Sequence, residues 1–339
     1  TPLYSSAASD VYKRQAYNIA LLIALIVSGL FLYGLFTVRI RHRRKEQGVG
    51  LKETYSLARD VANPLLTPGS NGWESGGVMN PAVVTAGGRT HLFYRAVGND
   101  GVSRIGYASS ANGSIFDERF PYPVFALASE TNPRWPARYP GLTASGGSFA
   151  GTEDPRAVII GDRMHLSFSA FADWNSLRIG VTSISVEDLI AKRWRWTPPT
   201  FLSPKGQVHK NWVIFPEKIQ GAFAILHSLH AGSRDRVLID YVDTLDEASI
   251  ESLYQPTQDN RVWDSTLRGA GPPPIRTDQG WLLLYHATDA RQPHRYKLGA
   301  LMLDLENPSR IIGRAPVPIL EPDAHYENCL LYTSPSPRD

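Results

Sequence analysis

The sequence predicts an all-β chain of repeated strand pairs arranged as a β-propeller. Three observations carry that expectation. A strand, a loop and a second strand that begins near a cation recur about every 60–75 residues, long enough for a four-stranded blade. The runs are rich in β-branched and aromatic residues and are bounded by Gly, Asn, Asp and Pro. Helical periodicity is weak outside residues 16–38 and a short stretch from Leu245 to Leu253. With 12 Phe, 15 Tyr and 8 Trp beside 28 Gly and 25 Pro, the composition suits a turn-rich β protein with aromatic-lined clefts.

Taken in chain order, residues 1–15 and 329–339 look like translated adapter sequence, and both ends are set aside from fold reasoning. Ala16 to Val38 is apolar and uncharged, longer than the roughly 20 residues a helix needs to cross a bilayer. A signal peptide is the competing reading, but the run ends in Arg39-Ile40-Arg41-His42-Arg43-Arg44-Lys45 rather than in small residues. One transmembrane helix over 16–38 is therefore expected, followed by a basic juxtamembrane linker over 39–55. The basic flank puts the following domain, residues 56–328, on the cytoplasmic side. Much of the net charge of +3 comes from this cluster, so no nucleic-acid partner is suggested. Cys329 is the single cysteine, which excludes an internal disulfide and a Cys-based zinc site. His227-Ser228-Leu229-His230 has a metal-like spacing without a third ligand nearby, so no metal is expected.

The repeat has four legible copies. They are Thr90–Arg95 with Arg104–Ser110, Met164–Ser169 with Arg178–Ser183, Ala224–His227 with Arg236–Tyr241, and Trp281–His286 with Lys297–Met302. In a propeller the strand ends Arg95, Ser169, His227 and His286 converge on one funnel; the alternative makes both histidines ordinary core or edge residues. Arg193-Trp194-Arg195-Trp196 reads as a blade-edge strand, and Pro272-Pro273-Pro274 as a rigid loop at the funnel mouth. Of Trp73, Trp135, Trp174, Trp212 and Trp263, Trp212 beside Lys210 and Asn211 is the expected sugar-stacking exception among core tryptophans.

The stretch richest in chemistry is Gly151-Thr152-Glu153-Asp154-Pro155-Arg156, before the apolar run Ala157–Ile160. Two carboxylates, a stiffening proline and an arginine at a loop-to-strand junction suit an acid with a charge partner. A turn with a surface ion pair is the bland reading. Pro155 is expected to push Asp154 toward an extended conformation.

With this stretch stand Asn63–Pro68, Met79-Asn80-Pro81-Ala82, Phe93-Tyr94-Arg95-Ala96, His209-Lys210-Asn211-Trp212, Phe215–Lys218, Arg268–Pro274, Gly280–His286, Leu303-Asp304-Leu305 and Ile319–Pro322. In this order they resemble glycoside hydrolase family 130, over roughly residues 60 to 328. The resemblance implies a five-bladed propeller, truncated here at the C-terminus after Tyr326-Glu327. It implies an inverting enzyme acting on β-mannosides, with Asp154 as the general acid, its proton relayed through the sugar's 3-hydroxyl. Phosphate would be held by Arg95, Lys210 and His227, and substrate by Asn80, Arg95, Arg156, Asn211, Trp212, Asp264, His286 and Asp304. Inorganic phosphate is then the co-substrate and no cofactor is required.

An inverting hydrolase needs a second carboxylate about 6.5–9.5 Å from the acid, whereas a phosphorylase needs a cationic pocket. Many family phosphorylases carry His-Arg where this chain has His227-Ser228, and serine is only a neutral donor. Phosphorolysis giving α-mannose 1-phosphate is the first expectation. Hydrolysis with a base drawn from Glu153, Asp264 or Asp304, and a non-catalytic glycan- or protein-binding propeller at the membrane, are the alternatives.

Overall fold

The computed structural model describes residues 39–43, 54–127, 148, 150–173, 176–230, 236–246, 250, 263–289 and 291–328. The expected membrane helix and both ends set aside above lie outside these residues, as do Trp135, Trp174 and most of Leu245–Leu253. Among the described residues no helix is long and apolar enough to cross a membrane.

The predicted strand pairs all form, and each extends into an antiparallel meander. The first runs β3 (Gly77–Ala86), β4 (Arg89–Val97), β5 (Val102–Ser110) and β6 (Glu118–Arg119). The second runs β7 (Ala150–Ile160), β8 (Arg163–Asp173), β9 (Ser176–Ser185) and β10 (Thr200–Phe201), and is joined to the first by a short parallel pairing of β5 with β7. A third holds β11 (Val213–Ile214), β12 (Phe223–His230) and β13 (Arg236–Val242). The fourth holds β14 (Thr266–Ala270), β15 (Ile275–Thr277), β16 (Gly280–Asp289), β17 (Gln292–Leu303) and β18 (Ile311–Arg314). The chain is thus all-β, with a five-residue helix, Val186–Ile190, capped by Ser185. Among the described residues strand pairing draws four meanders and no closed ring.

Three corrections follow from these elements. Arg39–Arg43, expected within a linker, forms β1 against β2 (Thr54–Ala58), with Arg39 opposite Ala58; a strand partner satisfies backbone groups that a linker leaves to water. Arg193–Trp196 is not a strand. Its indoles stack at 6.2 Å and pack on Phe93 and Tyr107 of the first meander, so aromatic burial fixes the segment where a ladder was expected. The Glu-Asp-Pro-Arg stretch lies inside β7 and not at its entrance.

First and fourth meanders share a buried signature. Tyr94 donates to Glu74 at 2.9 Å, Arg119 also binds Glu74, and Trp73 stacks on Tyr94. Correspondingly, Tyr285 donates to Asp264 at 2.6 Å, Arg314 also binds Asp264, and Trp263 stacks on Tyr285. Gly106 faces Tyr94 and Gly299 faces Tyr285 in the cross-strand register, and a Cβ at either glycine would sit 2.3 Å from the ring. The second meander repeats the pairing with Phe168 opposite Gly180. These partners fix the same register in each copy, which brings the following residues, Arg95, Ser169 and His286, to equivalent places.

The two ends of the described domain also meet. The Leu57 amide donates to the Ile319 carbonyl at 2.7 Å, and Arg59 pairs with Glu327 and donates to the Glu321 carbonyl.

Candidate active site

The first, second and fourth meanders enter the site through an irregularity in their first strand, and the third through the residue just before it. In β3, Asn80 and Pro81 both stand opposite Tyr94. In β7, Asp154 and Pro155 both stand opposite Phe168. Arg268 is the unmatched residue of β14, between Leu267 and Gly269. Before β11, Asn211 has a φ of 63°. An extra residue re-aims the side chain it carries, which is how a regular ladder delivers a functional group sideways.

Asn80 and Asp154 have φ of 47° and 48°, so the extended conformation expected for Asp154 is not adopted. The bulge supplies the reason: the left-handed turn lets the strand absorb two residues, and Asp and Asn tolerate it best among residues with a Cβ. Gly269 has a φ of 135°, and a Cβ there would lie 2.6 Å from that of Asn211. Glycine lets Asn211 lie against β14 and donate to the Arg268 carbonyl at 2.8 Å.

Asp154 is the hub. Its Oδ1 accepts from Asn80 Nδ2 at 2.7 Å and from Arg95 Nη1 at 3.1 Å. Arg95, 2% exposed, also reaches Glu153 Oε1 at 3.1 Å, Ser148 Oγ at 2.8 Å and Ser103 Oγ at 2.8 Å. Arg156 spans the gap between strands: it donates to the Asp154 and Gly271 carbonyls at 2.9 Å each, to the Ala270 carbonyl at 3.2 Å and to Asn211 Oδ1 at 2.8 Å. One guanidinium thereby ties β7 to β14 and fixes Asn211.

Burial alone would push the Asp154 carboxyl up, but Arg95, Lys210, Arg156 and the Asn80 amide overcome it and hold the group well below the usual carboxylate range. For Glu153, wholly buried, desolvation wins and its proton affinity rises. His286 is pushed down to about 3 by burial and then by Arg156, with Arg268 and Lys210 adding to it, so it is a neutral imidazole in the site.

The other predicted residues divide. Lys210, Asn211, His227 and Ser228 line one cleft with Arg268. His227 Nε2 is 3.6 Å from Asp240. Trp212 is 3% exposed and packs between His209 and His227, so it is buried in the core, while the positive φ of Asn211 turns that residue toward Arg156 and β14. Asp264 is 1% exposed and committed to Tyr285 and Arg314. Asp304 caps the amides of Glu306 and Asn307 and pairs with Arg310, outside the cluster. Sequence reasoning missed Arg268 and the serines Ser103 and Ser148. Only Arg268 left a trace, inside the Arg268–Pro274 landmark.

Comparison with known proteins gives the family of the chain. The family model of glycoside hydrolase family 130, described as beta-1,4-mannooligosaccharide phosphorylase, matches residues 69–329. The chain belongs to glycoside hydrolase family 130. Within it, the chain is 32% identical over 280 residues to a 1,2-beta-oligomannan phosphorylase of Thermoanaerobacter sp., covering 80% of this chain and 84% of that one. It is 31% identical over 289 residues to a beta-1,2-mannobiose phosphorylase of the same organism, covering 80% and 85%. Among solved family 130 folds, the beta-1,2-mannobiose phosphorylase of Listeria innocua aligns with a TM-score of 0.57 at 22% identity, covering 79% of this chain and 84% of that one.

Proposed function

We propose that this protein cleaves β-mannosides by inverting phosphorolysis, with Asp154 as general acid. The observation that carries this reading is the charge of the site. Asp154 sits among Arg95, Arg156 and Lys210, while the three carboxylates that a hydrolase would draw on as base are each committed to other partners. Glu153 is sealed against Arg95 and Ser148, Asp264 against Tyr285 and Arg314, and Asp304 in its turn. A cation-rich pocket gathers and aims an anionic nucleophile, which needs no base to deprotonate it.

In the reaction, a phosphate oxygen bonds to C1 of the mannosyl group from the face opposite the glycosidic oxygen. The C1–O bond breaks toward that oxygen, which receives the proton of Asp154. Phosphate is a co-substrate and no cofactor takes part. Arg95, Lys210 and Arg156 hold the Asp154 carboxyl well below the usual carboxylate range, so it needs a proton source to act as an acid. Phosphate entering as the monoanion brings the proton as well as the nucleophile, and its negative charge weakens the grip of the cations on Asp154. The names of the 32% and 31% identical relatives make β-1,2-linked mannosides the first substrates to try.

We also read the four meanders, with residues 57–59 pinned to residues 319–327, as parts of a five-bladed propeller. Hydropathy and the basic flank support an anchor over residues 16–38 with the site on the cytoplasmic side.

The test is turnover of β-1,2- and β-1,4-mannobiose with and without phosphate. Strict phosphate dependence supports the reading. Free mannose released equally fast without phosphate makes the protein a hydrolase.

A further inference from the structure

We infer that Arg268 is a phosphate-binding residue, supplying the guanidinium that Ser228 does not. The inference rests on the phosphorolysis reading and names one more residue of the same site. Position comes first: Arg268 is the residue displaced by the bulge of β14, as Asp154 is in β7, and it lines the cleft shared by Lys210, Asn211, His227 and Ser228.

Its surroundings come second. Arg268 is 7% exposed, and its Nε is buried without a hydrogen-bond partner. Among the described residues no carboxylate pairs with it; its guanidinium lies 5.7 Å from the Tyr296 ring centroid. The site's other two arginines are saturated. Arg95 has Glu153, Asp154 and two serines, and Arg156 has three carbonyls and Asn211. A buried, uncompensated guanidinium costs free energy unless an anion completes it. A planar fork with open donors fits two phosphate oxygens at once, which a serine hydroxyl does not.

Charge comes third. Arg95, Arg156, Lys210 and Arg268 surround Asp154, Glu153 and the neutral His286. Four cations against two carboxylates leave a surplus of two positive charges, which draws in an anionic phosphate. Without Arg268 the surplus halves.

The experiment compares the whole protein with R268M and R268K. KM for phosphate and KM for β-1,2-mannobiose are measured separately, and protection against thermal unfolding is followed with inorganic phosphate alone. R268M is expected to raise the phosphate KM by about 10–100-fold, the range for a lost hydrogen bond to a charged group, with the mannoside KM within about twofold. R268K, which keeps the charge but not the fork, is expected to fall between, and phosphate protection should shrink in the same order. An unchanged phosphate KM, or an equal rise in both constants, overturns the assignment. If R268M does not fold, R268K carries the test on the same two constants. Wild-type turnover indifferent to phosphate would instead remove the phosphorolysis reading itself, and Arg268's role with it.

Discussion

Asn80 and Asp154 occupy the same place in successive meanders, each in a left-handed turn before a proline, and their side chains meet at 2.7 Å. One copy of the repeat supplies the carboxylate and the preceding copy supplies the amide that aims it. The candidate active site is thus a contact between repeats. That explains why two costly φ values, on the order of 1–3 kcal/mol each, persist there.

N80A tests this contact. It removes a hydrogen bond to the ionised form of Asp154, so the proton affinity of the carboxyl rises. Activity is expected to fall about 10–100-fold. The alkaline limb of the kcat profile should move to higher pH, because the acid form survives longer. Measuring kcat from pH 5 to 9 in both proteins checks the direction.

D154N should reduce kcat by about 10²–10⁴-fold, the usual span for a general acid. It also bears on stability. The Asp154 carboxyl is depressed in the folded state, so its contribution is present above the unfolded carboxylate value of about 3.9 and is lost as pH falls toward the folded one. Wild type should therefore unfold at a higher temperature than D154N at pH 7, with the gap closing below about pH 4. Thermal melts at pH 7, 5 and 3.5 measure it.

R156K should lose the strap between β7 and β14. Lysine cannot serve three carbonyls and Asn211 in one plane. A stability loss of about 1–3 kcal/mol in denaturant unfolding is expected, with a weakened grip on the mannoside.

G106A and G299A address the repeated signature far from the chemistry. Each adds a methyl 2.3 Å from a buried tyrosine ring, Tyr94 or Tyr285. Both should cost about 1–3 kcal/mol by overpacking, while KM for phosphate stays unchanged in whatever fraction folds.

The strands were legible because runs rich in β-branched and aromatic residues between turn residues are a local signal, as in β4, β8, β12 and β16. The bulges were not. Pro155 reads locally as a marker of extended backbone before it, and only the partner strand reveals two residues facing one, there and at Pro81. Asp154, Arg95, Arg156, Lys210 and Asn211 stood in motifs that the fold brings together. The burial of Trp212 against His209 and His227 was hidden by its polar neighbours in the sequence. The commitment of Asp264 to Tyr285 and Arg314 was hidden because these partners come 21 and 50 residues later. The shared Trp-acid, Tyr, Gly and Arg signature was present in the sequence, but its members are too widely spaced to stand out without the sheet register.

The most direct measurement follows the cleavage of β-1,2-mannobiose in phosphate by NMR in real time, in wild type and D154N. The account predicts that the first product is α-configured mannose 1-phosphate, formed one for one with released mannose, and that D154N forms almost none. A β-configured phosphate, free mannose without sugar phosphate, or full turnover by D154N would contradict it.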